Sequence, residues 1–252
     1  MFRVVIPARY ASTRLPGKPL RVVAGRTLLE HVYRRAVDSG ADEVRIATDD
    51  ERIVAACAKF GAHAEMTAAT HASGTDRIAE VAAREQWDES QIVVNVQGDE
   101  PLLPPTLVRQ VAELLEAHPV AGVGTLATPI ESLAEFLDPH VVKVAAARTG
   151  LALYFSRAPI PWPRDGAAAG LASQTQFGGA LRHLGLYSYR VGALKRLSAL
   201  PPSALEQAEK LEQLRALDNG IGIAVALARE RPGPGVDTEA DLAAVTRLLG
   251  GR

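Results

Sequence analysis

Three cations, Arg9, Arg14 and Lys18, fall within ten residues of one another in the stretch PARYASTRLPGKPL, residues 7–20. Pro16, Gly17 and Pro19 keep this stretch out of a helix. Cations on a loop hinged by glycine and proline suit a polyphosphate, because Arg donates in a planar fork and Lys acts as a mobile point charge. Acidic residues stand at two other places. In QGDEP, Gly98 lets the backbone bend away and leaves Asp99 and Glu100 at a strand's lip, and Asp237 lies in GVDT after a late strand. A hard cation such as Mg²⁺ takes one or two carboxylates and completes its shell with substrate phosphates. Each feature also has a plain reading: a solvated basic loop, an acidic turn, a residue preceding a helix cap at Thr238. Two carboxylates from separate strand ends facing a cationic loop fit metal-assisted phosphate chemistry better than three coincidences. Neither the Walker pattern nor GxGxxG is present, so an ATPase or dinucleotide site is not indicated.

Four further groups carry weaker signals. SGTDR, residues 73–77, offers Ser73 and Arg77 near a helix start, where backbone N–H groups hold anions or where Ser73 is simply an N-cap. His183 and Tyr187 share one face of the alternating run LRHLGLYSYR. Four residues of extended chain put them about 13 Å apart, able to line one sugar-sized cleft or to sit as half-buried strand residues. Glu212 and Gln213 read on their own as solvated helix surface. His71 and His140 have no partner at ligand spacing and receive no metal role.

Short apolar runs alternating with helix-period stretches must position these groups. Strands are predicted at residues 2–7, 42–48 and 91–96, the last a near-continuous apolar run covered on both faces. Helices are predicted at 27–38, with Thr27 and Glu30 at capping-box spacing, at 51–60, and from Pro105 onward. This alternation implies a mostly parallel sheet with helices on both faces, and ligands in such sheets bind beyond the carboxyl ends of the strands. After residue 121 the runs GVGTLATPI, VVKVAAAR and LALYFSR follow without long helices, which predicts a smaller antiparallel extension. A helix at 202–217, a strand at 222–228 and a closing helix at 238–249 complete the chain, and 166–179 reads as a mobile loop. No linker divides two domains, so residues 1–252 are expected to form one.

Hydrophobic residues at 47% and charged residues at 23% allow a large core. A net charge of -1 argues against bulk attraction to nucleic acid or an anionic membrane, so any basic site is local. The single cysteine, Cys57, excludes an intrachain disulfide and falls on a helix's apolar stripe as a core residue. The first residues lack a signal-peptide pattern and no run is apolar enough to span a bilayer, so a cytoplasmic location is expected.

In combination, PARYASTRLPGKPL, ATDD, HASGTDR, VNVQGDEP, ALYFSRAPIPW, LRHLGLYSYR, LEQLR and PGPGVDT resemble the 3-deoxy-manno-octulosonate cytidylyltransferases, in order and over nearly the whole chain. The resemblance implies a Rossmann-like nucleotidyltransferase, commonly a homodimer, that joins CTP to the eight-carbon acid sugar Kdo with Mg²⁺ for lipopolysaccharide synthesis. It implies that Arg9, Arg14 and Lys18 serve the triphosphate and that Asp99 and Asp237 hold Mg²⁺, with Lys18, Asp99 and Asp237 as the catalytic set. Ser73, Arg77 and Gln97 fall near the nucleotide, and His183, Tyr187, Glu212 and Gln213 in the Kdo pocket. Residues 121–217 become the sugar-binding and dimerisation subregion. Asp76 stands where some relatives carry Glu, a conservative difference.

Overall fold

The computed structural model describes residues 1–11, 14–167 and 169–250. Ser12 and Thr13 of the cationic loop, Ala168 of the predicted mobile loop and the last two residues lie outside the described residues. The strands are β1 (Phe2–Ala8), β2 (Val22–Val23), β3 (Arg26–Thr27), β4 (Glu43–Thr48), β5 (His63–Met66), β6 (Ile92–Asn95), β7 (Val123–Pro129), β8 (Lys143–Ala146), β9 (Ala152–Ser156), β10 (Leu181–Arg190) and β11 (Ile223–Leu227). The helices are α1 (Leu28–Asp38), α2 (Glu51–Lys59), α3 (Gly74–Arg84), α4 (Pro105–Ala117), α5 (Leu133–Leu137), α6 (Val191–Ala199), α7 (Ala204–Glu209), α8 (Gln213–Asp218) and α9 (Glu239–Gly250).

The central strands are apolar throughout because both faces are covered. In β1, Val4 and Ile6 join the core that α1, α2 and α4 pack against, whereas Val5 joins the core under α3, α6 and α8. Strand β6 divides the same way, with Ile92 and Val94 on the first side and Val93 on the second. Each such side chain contributes about 1.5–3 kcal/mol by leaving water. Cys57 is buried in the first core, which pushes its thiol pKa up to about 12.

The main sheet runs β5-β4-β1-β6-β10-β7-β11. Strand β1 pairs in parallel with β4 and β6, and β11 pairs in parallel with β7, while β10 runs antiparallel between β6 and β7. The chain thus winds outward to β4 and β5, then returns to place β6 on the other flank of β1. That reversal opens a crevice beyond the carboxyl ends of β1 and β6, where the cationic loop and QGDEP begin. The antiparallel extension is the β8–β9 hairpin, hung on the start of β10 through Leu181 and Arg182.

Several elements depart from the predicted bounds. Strand β5 and the short β2–β3 ribbon have no apolar run to announce them, and β5 is a half-exposed edge. The predicted capping box of α1 is half formed: Thr27 accepts the Glu30 N–H, but the Glu30 carboxylate turns to Arg34. The helix expected at 202–217 is two helices. Lys210 takes a left-handed conformation at φ 54°, and Arg215 folds α8 back onto α7 through two bonds to Glu206, one of 2.7 Å. The alternation of β10 is interrupted by a bulge between Leu184 and Tyr187.

Candidate active site

The cationic loop is held by a hydrophobic anchor. Leu15 is fully buried with Leu28, Val236 and Val245, so the loop docks onto the segment that carries Asp237. Gly17, at φ 66°, turns the chain into a short 3₁₀ helix that begins at Lys18. The backbone then closes the triangle, since Val236 N–H donates to the Asp99 carbonyl at 2.9 Å. Residues far apart in sequence become neighbours at one point. The Lys18 ammonium donates to Asp99 Oδ2 at 2.7 Å, to Asp237 Oδ1 at 3.1 Å and to the Val236 carbonyl at 3.0 Å. Arg14 reaches Asp237 Oδ1 at 3.2 Å. Burial opposes the charge on Lys18, but hydrogen bonds and charge from Asp99 and Asp237 outweigh it and raise its pKa above the usual lysine value. The expected helix cap at Thr238 forms, with Thr238 and Asp241 bonding each other, and the Asp237 carboxylate that precedes it turns to the cations.

Arg14, Lys18 and Asp99 face an open cavity of about 380 Å³ that Arg9, Gly74, Gln97 and Gly98 also line. Two glycines let the crevice close. A Cβ at Gly98 would lie 3.1 Å from the Pro7 carbonyl oxygen, and one at Gly74 would lie 3.0 Å from the Pro7 ring. Arg9 is tied across the rim, its guanidinium donating to the His71 carbonyl at 2.6 Å.

A second cavity of about 250 Å³ adjoins the first, and Gly74 and Gln97 line both. Its walls are Thr75, Asn95, Tyr187, Tyr189, Glu212 and Gln213. The left-handed break at Lys210 starts α8 at this wall, so Gln213 is buried and not the solvated surface that its sequence context suggests. Its Nε2 is buried without a hydrogen-bond partner. A buried donor in that state requires an acceptor to be supplied. Gln97, which lines both cavities, donates through its amide nitrogen to Asn95 Oδ1 at 3.3 Å and keeps its side-chain oxygen as an acceptor. Burial raises the pKa of the Glu212 carboxyl and, more strongly, of the Tyr187 phenol.

His183 and Tyr187 are closer than an unbroken strand allows. Their ring centroids are 5.3 Å apart, because the β10 bulge shortens the path between them. Tyr187 in turn stacks on Tyr189 at 5.9 Å. The two residues nevertheless open on different spaces, since His183 lines a third cavity of about 390 Å³ together with Glu100, Arg182 and Arg231. The Thr125 hydroxyl has one hydrogen and gives it to the carbonyls of Leu184 and Leu186, so it accepts from His183 Nε2–H at 3.1 Å. Burial lowers the His183 pKa to about 3. The imidazole is therefore neutral, and its free nitrogen, Nδ1, is an acceptor. In the same cavity, burial and the neighbouring Asp99 charge raise the Glu100 pKa to about 7.

Two expected site residues serve the scaffold. Ser73 and Asp76 form a complete capping box at the start of α3, which occupies the Ser73 hydroxyl. Arg77 is fully buried and bonds Asp49 at 2.8 Å and the Thr67 hydroxyl. Neither lines the two adjoining cavities. Thr75, Asn95 and Tyr189 line the second cavity without having been singled out. Asn95 carried a signal, a buried amide inside the apolar run IVVNV, since such a group must find a partner.

The donor set at the first cavity suits a hard divalent cation. Asp99 and Asp237 present carboxylate oxygens to one positive centre, now the ammonium of Lys18. Among the described residues no group of three or more His, Cys, Asp or Glu is placed to hold a metal. A cation there takes the remainder of its shell from substrate oxygens and water.

Comparison with known proteins follows the same lines. The cytidylyltransferase family profile matches residues 3–223. A 3-deoxy-manno-octulosonate cytidylyltransferase of Halorhodospira halophila is 55% identical over 98% of this chain and 96% of that protein. The enzyme of the same name from Alkalilimnicola ehrlichii is 56% identical over the same shares. Among solved structures, a CMP:2-keto-3-deoxy-manno-octonic acid synthetase complexed with CTP superposes with a TM-score of 0.88 at 43% identity, covering 100% of this chain and 99% of that one.

Proposed function

The chain belongs to the cytidylyltransferase family, and on that premise we propose that it transfers CMP from CTP to 3-deoxy-D-manno-octulosonate (Kdo), giving CMP-Kdo and diphosphate for lipopolysaccharide biosynthesis. One observation carries the reading: a cavity lined by Lys18 and Asp99, with Asp237 bonded to Lys18 beside it, adjoins a second whose polar lining is uncharged apart from Glu212. The first has the charges that triphosphate chemistry needs, and the second has hydrogen-bonding groups for a polyhydroxylated acid.

The anomeric hydroxyl of Kdo attacks the α-phosphorus of CTP in line, and the bond to the departing diphosphate breaks. Such a step depends on positioning and charge stabilisation more than on covalent work by the protein. Arg9, Arg14 and Lys18 bind the triphosphate and neutralise the leaving diphosphate. Asp99 and Asp237 would hold Mg²⁺, which, when bound, polarises phosphate oxygens and lowers the pKa of the attacking hydroxyl. Gln97 stands at the junction of the two cavities and accepts from a substrate hydroxyl. Gln213 donates to a sugar oxygen and Tyr187 and Glu212 bond hydroxyl groups, while His183, which opens on the third cavity, meets this pocket through its ring contact with Tyr187.

The enzyme works as a homodimer in the cytoplasm, with its contacts in residues 121–217 and the whole chain as one domain. Leu153 on the edge strand β9 and the nearby Trp162 and Leu171 are exposed there. Among the described residues no helix is long and apolar enough to cross a membrane.

A coupled assay for diphosphate tests the reaction, with CTP, Kdo and Mg²⁺ omitted in turn. Release is expected only when all three are present. Release with a sialic acid or a sugar 1-phosphate in place of Kdo, and none with Kdo, would reject the substrate assignment.

A further inference from the structure

We propose that Arg14, Lys18, Asp99 and Asp237 form a self-neutralised cluster that admits the nucleotide and its divalent cation only as a pair. The inference rests on the reading that Asp99 and Asp237 hold the cation.

The cluster holds two positive and two negative groups within hydrogen-bond reach. Lys18 lies 2.7 Å from Asp99 and 3.1 Å from Asp237, and Arg14 lies 3.2 Å from Asp237. An ammonium has three hydrogens, and Lys18 spends all three, on Asp99, on Asp237 and on the Val236 carbonyl. It has none left for a phosphate. The two carboxylates likewise face a cation already in place. A triphosphate arriving alone finds Arg9 but must displace two carboxylates from Lys18 and Arg14, and a divalent cation arriving alone must displace Lys18 and Arg14 from those carboxylates. Each encounter sets like charges against one another.

Arrival of both reverses the balance. The metal takes over Asp99 and Asp237, and the phosphates take over Lys18 and Arg14. Every group exchanges one partner of opposite sign for another, and none is left buried and unpaired, the state that costs most. Lys18 suits the exchange because its charge sits on a flexible four-carbon stem.

Two binding experiments without turnover test the coupling. Electron paramagnetic resonance counts Mn²⁺ bound in the absence of nucleotide. Removing the Lys18 charge as Lys18→Met is expected to tighten Mn²⁺ binding about tenfold or more. Calorimetry in EDTA measures CTP alone, and Asp99→Asn is expected to tighten it by roughly the same factor. The second arm stands by itself if Lys18→Met does not fold. Mn²⁺ binding no tighter in Lys18→Met than in the unaltered protein, or CTP binding no tighter in Asp99→Asn, would overturn the coupling. A third measurement separates this from failure of the metal reading: Asp99→Asn and Asp237→Asn must both weaken Mn²⁺ binding when CTP is present. If neither does, the carboxylates are not the cation's ligands and the inference falls with that reading.

Discussion

The two adjoining cavities are built on opposite electrostatic plans. Around the first the side chains are charged and partly wet: Arg14 is 67% exposed, Asp237 49% and Lys18 15%. Around the second they are buried and, Glu212 apart, uncharged, with Asn95 at 2% and Gln213 at 9%. Hydrated charges that pair with each other cost little before ligand arrives, and they are strong where phosphate charge shifts during reaction. Buried neutral donors and acceptors do the reverse. They penalise any ligand that fails to match them, which is how a site discriminates between hydroxylated substrates. Under the proposed function, chemistry falls to the charged end and selectivity to the largely uncharged one.

The sharpest test of that division removes a carboxylate from the charged end. Asp99→Ala and Asp237→Ala are each expected to lower turnover by ~10²–10³, or more, while circular dichroism remains that of a folded protein. Near-native turnover at saturating Mg²⁺ would erase the distinction. A smaller effect comes from His183. Its folded pKa of about 3 lies below the ordinary histidine value, so the unfolded chain binds the extra proton between these limits. Stability from this group is complete above pH ~6.5 and is lost as pH falls toward 3, by at most about 1.4 kcal/mol per pH unit. His183→Gln should therefore lose less melting temperature between pH 7 and pH 5 than the unaltered protein, and an identical loss would remove His183 from the account. The smallest change concerns Gln213. Gln213→Leu removes an orphaned donor, so it should preserve or raise stability by about 1 kcal/mol. It should also raise the Michaelis constant for Kdo up to about tenfold and leave that for CTP in place. Equal movement of both constants would contradict a neutral end devoted to the sugar.

Much of this arrangement was legible in the residues. Strands β1 and β6 announced themselves by their apolar runs because the sheet is covered twice, and Pro105 marked the first turn of α4. Arg9, Arg14, Lys18 and Asp99 stood out because a loop next to an apolar strand has no structural need for so much charge. The neutral end was harder to read. Thr75 is a short polar residue whose place in the cavity no local pattern encodes, and Asn95, an amide inside an apolar run, signalled only that it needs a partner and not which cavity it lines. The corner between α7 and α8 was hidden because Lys210, not glycine, adopts the left-handed conformation. Ser73 and Arg77 drew a ligand-side reading because the residue types that hold anions also cap helices and fill buried ion pairs. The distance between His183 and Tyr187 was set by the bulge, which regular alternation cannot foresee.

The bond from the Val236 amide to the Asp99 carbonyl joins the end of β6 to the segment that leads into α9. The last helix of the fold is thereby fastened to the reaction centre and is no passive wrapper of the sheet. Leu242 and Val245 of α9 pack with Leu15 of the cationic loop, so substitutions along that helix bear on where Lys18 and Asp237 are held.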